Sequence, residues 1–325
     1  MSAFWNGRRV FVTGATGFLG SWLVRELRHR GAMVVGLVRD LPAEPLLLED
    51  ALARPDLSVH GRLEDFDVLL RALNEYEIET VFHLAAQPLV GVAFNAPRGT
   101  FDANIRGTWN MLEACRQVAT VKRVVAASSD KAYGTAPRLP YDEEMPLAGR
   151  HPYDVSKSCA DLIAQAYHAT YGLPVCVTRS ANFYGGGDLN FSRIVPGTIR
   201  SVFRGEAPVL RSDGTPIRDY IFIRDVVDGY LTLAAAMDRA EVPGRAYNFS
   251  IEMPLSVLEI TERILALMDR PDLRPVILNT ARAEIPAQHL SAARARRELD
   301  WSPRYGLGQG LTETIAWYRH YLAKH

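Results

Sequence analysis

Cysteine is scarce in this chain and an excess of either charge is missing. The three cysteines, Cys115, Cys159 and Cys176, lie far apart in 325 residues with no CxxC and no histidine pattern beside them, which excludes a disulfide framework or a zinc knuckle. They read as small buried residues of a reducing compartment. Lys and Arg number 37 and Asp and Glu 37, so no overall field draws nucleic acid or an anionic membrane, and any bound anion must be held by local geometry. No apolar run approaches the ~18 residues of a membrane span. The opening MSAFWNGRRVFVTG has no apolar leader core, and there is no internal repeat or low-complexity tract. No His/Cys/Asp cluster has metal spacing, so no metal is expected. The expectation is a soluble cytoplasmic protein with neither membrane nor nucleic acid as partner.

What is present is alternation. The apolar, β-branched runs RVFVT, MVVGLV, LSVH, TVFHLAA, RVVAASS and PVCVTRS are separated by stretches of helical period. This predicts a doubly wound parallel sheet of the α/β, Rossmann type with right-handed crossovers. One helix is predicted from about Phe18 to Arg30 with Leu19, Leu23 and Leu27 on one stripe, and another over 101–118. A third, DVSKSCADLIAQAYHATYG, places Val155, Cys159, Leu162, Ile163 and Ala166 on one apolar face and ends at Gly172. After Ser180 the texture turns to Gly, Pro and Asn, which indicates a smaller, loop-rich C-terminal lobe. The strand YIFIRDV and the helix after it are expected to return to the sheet. The predicted division is 1–180 with about 219–250 for the dinucleotide-binding part, and 181–218 with 251–325 for the substrate lobe.

VFVTGATGFLG spaces Gly14, Gly17 and Gly20 as G-x-x-G-x-x-G between a strand and a helix, the context in which glycines let backbone turn tightly around a pyrophosphate at a helix N-terminus. The next strand ends GLVRD. Arginine there suits a 2′-phosphate and an acid suits free ribose hydroxyls, so Arg39 leans toward NADP while the adjacent Asp40 keeps NAD open. HPYDVSK sets Tyr153 and Lys157 four apart near a helix start, where an ammonium can lower the phenol's pKa. The strand RVVA runs into SSDKAYG, so Asp130 and Lys131 stand at a strand end, where open α/β sheets meet ligands.

TGATGFLG, HLAAQ, NIRGTWNMLEA, PYDVSKSCADLIAQAYHATYGLPV, NFYGGGD, RIVPGTIR and RDYIFIRDV resemble the extended short-chain dehydrogenase/reductases nearly end to end. Within that family FWNGRRVFVTG, HLAAQPLV, SSDKAYG and GGGDLNFSRIVP are most similar to CDP-glucose 4,6-dehydratases. The resemblance implies a tightly bound, recycled NAD or NADP contacted by Gly14, Thr16, Gly17, Phe18, Leu19 and Gly20. Arg39, Leu84, Ala85, Ala86, Tyr153 and Lys157 would add to that contact. It implies that Tyr153, with Ser129 and Lys157, serves oxidation at C4 of a sugar nucleotide. Water then leaves across C5 and C6, hydride returns to C6, and the product is a 4-keto-6-deoxysugar. The dTDP-glucose type carries Asp-Glu where Asp130 and Lys131 stand here and where the CDP-glucose type has Asp-Lys. Asp130, once buried, would be the acid, and Lys131, once desolvated, the base; a solvent-facing Lys131 or one that only stabilises an enolate is the alternative.

By the same resemblance Asn182, Arg193 and Arg218 would hold the diphosphate and Asn104 would sit behind the catalytic tyrosine. Helices over 102–118 and 154–171 would pair with their copies in a homodimer. His83, inside an apolar strand, reads as a satisfied core group, and His151 lies at the edge of the site. Where relatives read GDxxD toward the adenine, this chain has HGRLED with Arg62, and SDGTPIRDYIFIRDV resembles epimerases more closely. A 4-epimerase of UDP-sugars is therefore the second reading, GDP-mannose and UDP-sugar substrates stay open, and a non-enzymatic dinucleotide-binding regulator is third.

Overall fold

The computed structural model describes residues 2–40, 50–136, 138–280 and 285–325. Its strands in chain order are β1 (Arg9–Thr13), β2 (Met33–Val38), β3 (Leu57–His60), β4 (Thr80–His83), β5 (Arg123–Ala127) and β6 (Val175–Ser180). Then follow β7 (Asn182–Tyr184), β8 (Val209–Leu210), β9 (Ile217–Phe222), β10 (Ala246–Phe249), β11 (Pro254–Ser256) and β12 (Val276–Ile277). Seven of them form one sheet in the order β10-β6-β5-β4-β1-β2-β3, with every pairing parallel. A sheet covered on both faces needs strands that are apolar throughout rather than alternating. All residues of β4 and of β6 are buried.

The two faces carry separate cores. On one, Leu19, Leu23 and Leu27 of the helix Phe18–His29 pack with Val226 and Tyr230 of the helix Ile223–Ala236. On the other, Leu69 and Leu73 of Phe66–Glu75 pack with Met111 and Leu112 of Gly107–Gln117. The order of the sheet reverses between β1 and β4, which opens a crevice beyond their C-terminal ends. The loops after β1, β4, β5 and β6 all leave from that edge.

Three expectations are corrected. The strand within YIFIRDV does not return to the large sheet: β9 pairs in parallel with β7 and antiparallel with β11 in a three-stranded sheet, and only the helix after it packs back on the large one. The edge place beside β6 is taken by β10 instead. The helix over 101–118 is interrupted: Pro97–Phe101 leads into a π-helical turn at Asp102–Arg106 before Gly107–Gln117 resumes α geometry. Finally, the helix Pro152–Tyr171 buries Tyr153, Ser156, Lys157, Ala160, Asp161 and Ala164, whereas Leu162 on the apolar stripe is 54% exposed. The face turned to the sheet is the one that carries chemistry. Its end is as expected, with Gly172 left-handed at φ 66 and its amide bonded to the His168 carbonyl at 2.8 Å.

Candidate active site

Gly14 leaves β1 at φ +70, where a Cβ would also come within 2.9 Å of the Ala85 nitrogen. A Cβ on Gly20 would strike the Gly14 carbonyl oxygen. Both positions therefore require glycine for the loop to lie against its own helix and against the β4 end. No side chain caps the helix that begins at Phe18. An uncapped helix start behind close-packed glycine backbone suits a pyrophosphate, and the residues present fit a dinucleotide.

Thr13 ties this loop to the end of β4. Its Oγ1 accepts from the amides of Leu84 and Ala85, each at 3.1 Å, and lies 3.0 Å from His83 Nδ1. With its lone pairs engaged, the hydroxyl donates to Nδ1, so the imidazole proton sits on Nε2. Nε2 donates to Thr108 Oγ1 at 3.1 Å, and Thr108 donates in turn to the Asn104 carbonyl at 2.6 Å. Burial, reinforced by the nearby Lys157 charge, pulls the imidazole down to about 3. His83 is the satisfied core histidine expected.

Asn104 lies in the π turn. Its Nδ2 donates to Ser156 Oγ at 2.9 Å, and Ser156 donates to the Tyr153 carbonyl at 2.7 Å. Its Oδ1 accepts from the Gln87 amide at 2.7 Å. One buried amide thus fixes the loop after β4 against the first turn of the Tyr153 helix.

After β5 the chain enters a 3-10 turn, Asp130–Tyr133, capped by Ser129, whose Oγ accepts from the Lys131 amide at 3.2 Å and donates to Asp130 Oδ1 at 3.0 Å. Asp130 is 4% exposed and Lys131 is half-buried, with Nζ donating to Gln288 Oε1 at 3.1 Å. The Ala132 carbonyl accepts from Ser158 Oγ at 2.9 Å, which locks the turn to the helix carrying Tyr153.

Tyr153 and Lys157 lie in the first two turns of that helix, as the spacing required, but not with the expected electrostatics. Burial pushes the phenol up to about 12; the Asp130 carboxylate adds to the rise, while the Ser129 hydroxyl and Arg193 oppose it. Lys157 does not counter it, because its Nζ is turned to the Ala127 carbonyl at 2.8 Å, and burial pulls its own pKa down to about 8 against the attraction of Asp161. Four-residue spacing puts two side chains on one face without deciding where a long one points.

The residues expected to hold substrate converge only partly. Arg193 immediately precedes the helix Ile194–Phe203 without a side-chain bond to it, pairs with Asp188 at 2.9 Å and bears electrostatically on Tyr153. Arg218, in β9, is 9% exposed, donates to the Ile217 carbonyl at 2.8 Å and faces Tyr141. Asn182 opens β7 opposite Tyr220 of β9. At the end of β2, Arg39 and Asp40 are both exposed and paired with each other at 2.5 Å. Arg62 is likewise exposed and lies 3.5 Å from Glu64.

A model of the NAD dependent epimerase/dehydratase family matches residues 10–249. The chain belongs to that family. A CDP-glucose 4,6-dehydratase of Salmonella typhimurium is 32% identical over 98% of this chain and 92% of its own length. A UDP-glucose 4-epimerase of Mycolicibacterium smegmatis is 31% identical over 96% of this chain and 99% of its own. Among solved structures, a dTDP-glucose 4,6-dehydratase of Streptomyces venezuelae with NAD bound superposes with a TM-score of 0.86 at 28% identity, covering 97% of this chain and 98% of that one.

Two features of this epimerase/dehydratase member escaped sequence reasoning. Asp161, one turn beyond Lys157, takes the buried Arg179 guanidinium in two hydrogen bonds of 2.8 and 3.0 Å. The Asp161 carboxylate held in this way is the one whose attraction partly offsets the burial of Lys157. Gln288 is the second: it is fully buried, touches Lys131, and carries no motif that would have singled it out. Among the described residues no group of His, Cys, Asp or Glu could hold a metal ion, and no helix is long and apolar enough to cross a membrane.

Proposed function

We propose that this family member is a nucleotide-sugar 4,6-dehydratase, which takes a hexose carried on a nucleoside diphosphate, of the CDP-glucose or GDP-mannose kind, to its 4-keto-6-deoxy form. The observation that carries this is Asp130 and Lys131 in one turn with Ser129, against the helix of Tyr153 and Lys157. C4 oxidation needs only Ser129, Tyr153 and Lys157. Loss of water needs an acid and a base as well, and that turn contains both.

A bound nicotinamide dinucleotide would take hydride from C4 and give it back at C6 after water has left, so that it is not consumed and C4 stays a ketone. This chain's part is to move protons. Tyr153 takes the proton of the sugar 4-hydroxyl; with its phenol at about 12, it does so once positive charge is brought beside it, for which Lys157 is one turn away. The 4-ketone acidifies C5, and Lys131 removes that proton. The C6–O bond breaks as Asp130 protonates the departing hydroxyl, so water leaves and a C5–C6 double bond forms; Lys131 returns its proton to C5 when C6 is reduced, which completes the 4-keto-6-deoxy sugar. Asn182, Arg193 and Arg218 hold the diphosphate by amide and guanidinium donors. The 4-epimerase remains the second reading, favoured by the Mycolicibacterium relative and by RDYIFIRDV.

Finer features follow from the same reading. Arg39 favours NADP, while its pairing with Asp40 and the NAD in the Streptomyces structure favour NAD. Leu162, 54% exposed, and Trp109, 44% exposed, support a homodimer through the helices Pro152–Tyr171 and Gly107–Gln117. We assign the protein to the cytoplasm. With CDP-glucose as the substrate tried, Asp130→Asn and Lys131→Ala each lose on the order of a hundredfold or more of water elimination while C4 oxidation persists. Unchanged elimination in both variants would leave these residues as bystanders and favour the epimerase.

A further inference from the structure

Residues 286–291, from the C-terminal part of the chain, form an extended strap between two pieces of the site. On one side the Ile217 amide donates to the Pro286 carbonyl at 2.8 Å and the Gln288 amide to the Ile217 carbonyl at 3.0 Å, next to Arg218. On the other, the Tyr141 amide donates to the His289 carbonyl at 2.9 Å and the Ser291 amide to the Tyr141 carbonyl at 2.8 Å. Tyr141 itself donates to the Gly134 carbonyl at 2.6 Å, at the end of the turn that holds Asp130 and Lys131. Gln288 lies in the middle of this strap, fully buried, with Oε1 accepting from Lys131 Nζ at 3.1 Å.

We infer that Gln288 is the positioning residue for Lys131, an uncharged holder that fixes the amine without clamping it in its charged form. The inference rests on the dehydratase reading, in which Lys131 must give up a proton before it can take one from C5. A carboxylate at this position would hold the ammonium as an ion pair; an amide oxygen accepts from either form of the amine and leaves it able to cycle. Asp154 on the adjacent helix bears electrostatically on Lys131, and Asp130 is its neighbour on the same turn; one step further out, Tyr153, Tyr141 and Asp219 of β9 bear on Asp130, His151 on Asp154, and Arg218 of β9 on Tyr141. None of them bonds Nζ directly among the described residues, which leaves the geometry of the amine to Gln288.

The test uses the full chain with CDP-glucose and NAD or NADP. Gln288→Glu, Gln288→Leu, Lys131→Ala and the double variant Lys131→Ala/Gln288→Glu are compared with the parent protein across pH. Reduced nicotinamide reports C4 oxidation, and exchange of the C5 hydrogen with solvent deuterium reports the step assigned to Lys131. In Gln288→Glu, C5 exchange is expected to fall about tenfold at neutral pH and to recover roughly one unit higher, as a new carboxylate partner requires. C4 oxidation stays within about threefold. Gln288→Leu is expected to lose exchange at every pH, and Gln288→Glu to add nothing in the Lys131→Ala background. If the Glu variant lowers oxidation and exchange together with no pH displacement, or acts equally without Lys131, the inference is overturned. Should the Glu variant not fold, a Gln288→Leu protein that exchanges C5 as the parent does overturns it as well. The dehydratase reading fails separately, if Lys131→Ala alone leaves exchange intact.

Discussion

Thr13 and His83 meet at the ends of adjacent parallel strands, Oγ1 to Nδ1 at 3.0 Å, and through Thr108 the contact reaches the carbonyl of Asn104. Glycine loop, β4 loop and π turn thereby share one buried chain of donors whose direction is fixed by a single imidazole tautomer. Replacing His83 breaks the chain at its centre.

The pH dependence of stability tests that arrangement. His83 has its pKa depressed from 6.5 to about 3, so between those values the unfolded chain binds a proton that the folded one refuses. Stability therefore falls as the pH drops through that window, by at most about 5 kcal/mol for this one group. A His83→Gln protein is expected to be less stable at neutral pH by about 1–3 kcal/mol, from the lost hydrogen bonds, yet to show a flatter decline in acid. Urea midpoints across the acid range read both quantities; an unchanged acid slope would mean the imidazole is already charged in the fold.

Lys157 carries the opposite trade. Burial takes it from 10.5 to about 8, so below that range the folded protein holds an ammonium under strain, at a cost of at most about 3 kcal/mol. Asp161 keeps a partner in Arg179 if the amine is removed. Lys157→Met is expected to raise the melting temperature at neutral pH and to abolish turnover, with the gain shrinking as the pH rises from 8 toward 10.5 and the parent lysine loses its proton in both states. A variant that melts lower at neutral pH would show that the ammonium stabilises the fold.

The proposed basis of cofactor choice is the exposed Arg39–Asp40 pair at the end of β2. Arg39→Ala is expected to weaken NADP at least about tenfold relative to NAD, since a 2′-phosphate loses its charge-assisted partner. Asp40→Ala should move the ratio the other way by releasing Arg39 from its 2.5 Å contact. Titration of each variant with both dinucleotides reads the ratio. No change in either would put the discriminating groups elsewhere in the loop.

Much of the fold was legible because strands buried on both faces must be continuous apolar runs: RVFVT and MVVGLV are β1 and β2 residue for residue. Hydrophobic pattern reports burial, however, and not which sheet a strand joins, so β9 was assigned to the wrong one. In the same way the apolar stripe of the Tyr153 helix marked a half-exposed face, while the buried face was polar. Tyr153, Lys157 and the glycine loop could be read from local spacing. Gln288 could not, since its partner Lys131 is 157 residues away in sequence, and neither could the turn of Lys157 toward Ala127, a contact made with a backbone carbonyl.

We propose that the Asp130–Lys131 turn makes this family member a dehydratase. The most direct measurement is mass spectrometry of CDP-glucose, GDP-mannose, UDP-glucose and UDP-glucuronate after incubation with the protein and catalytic NAD or NADP. Loss of one water from one of the four, with no net reduction of cofactor, is the predicted result. An unchanged mass accompanied by a new chromatographic isomer would contradict it and make the protein an epimerase.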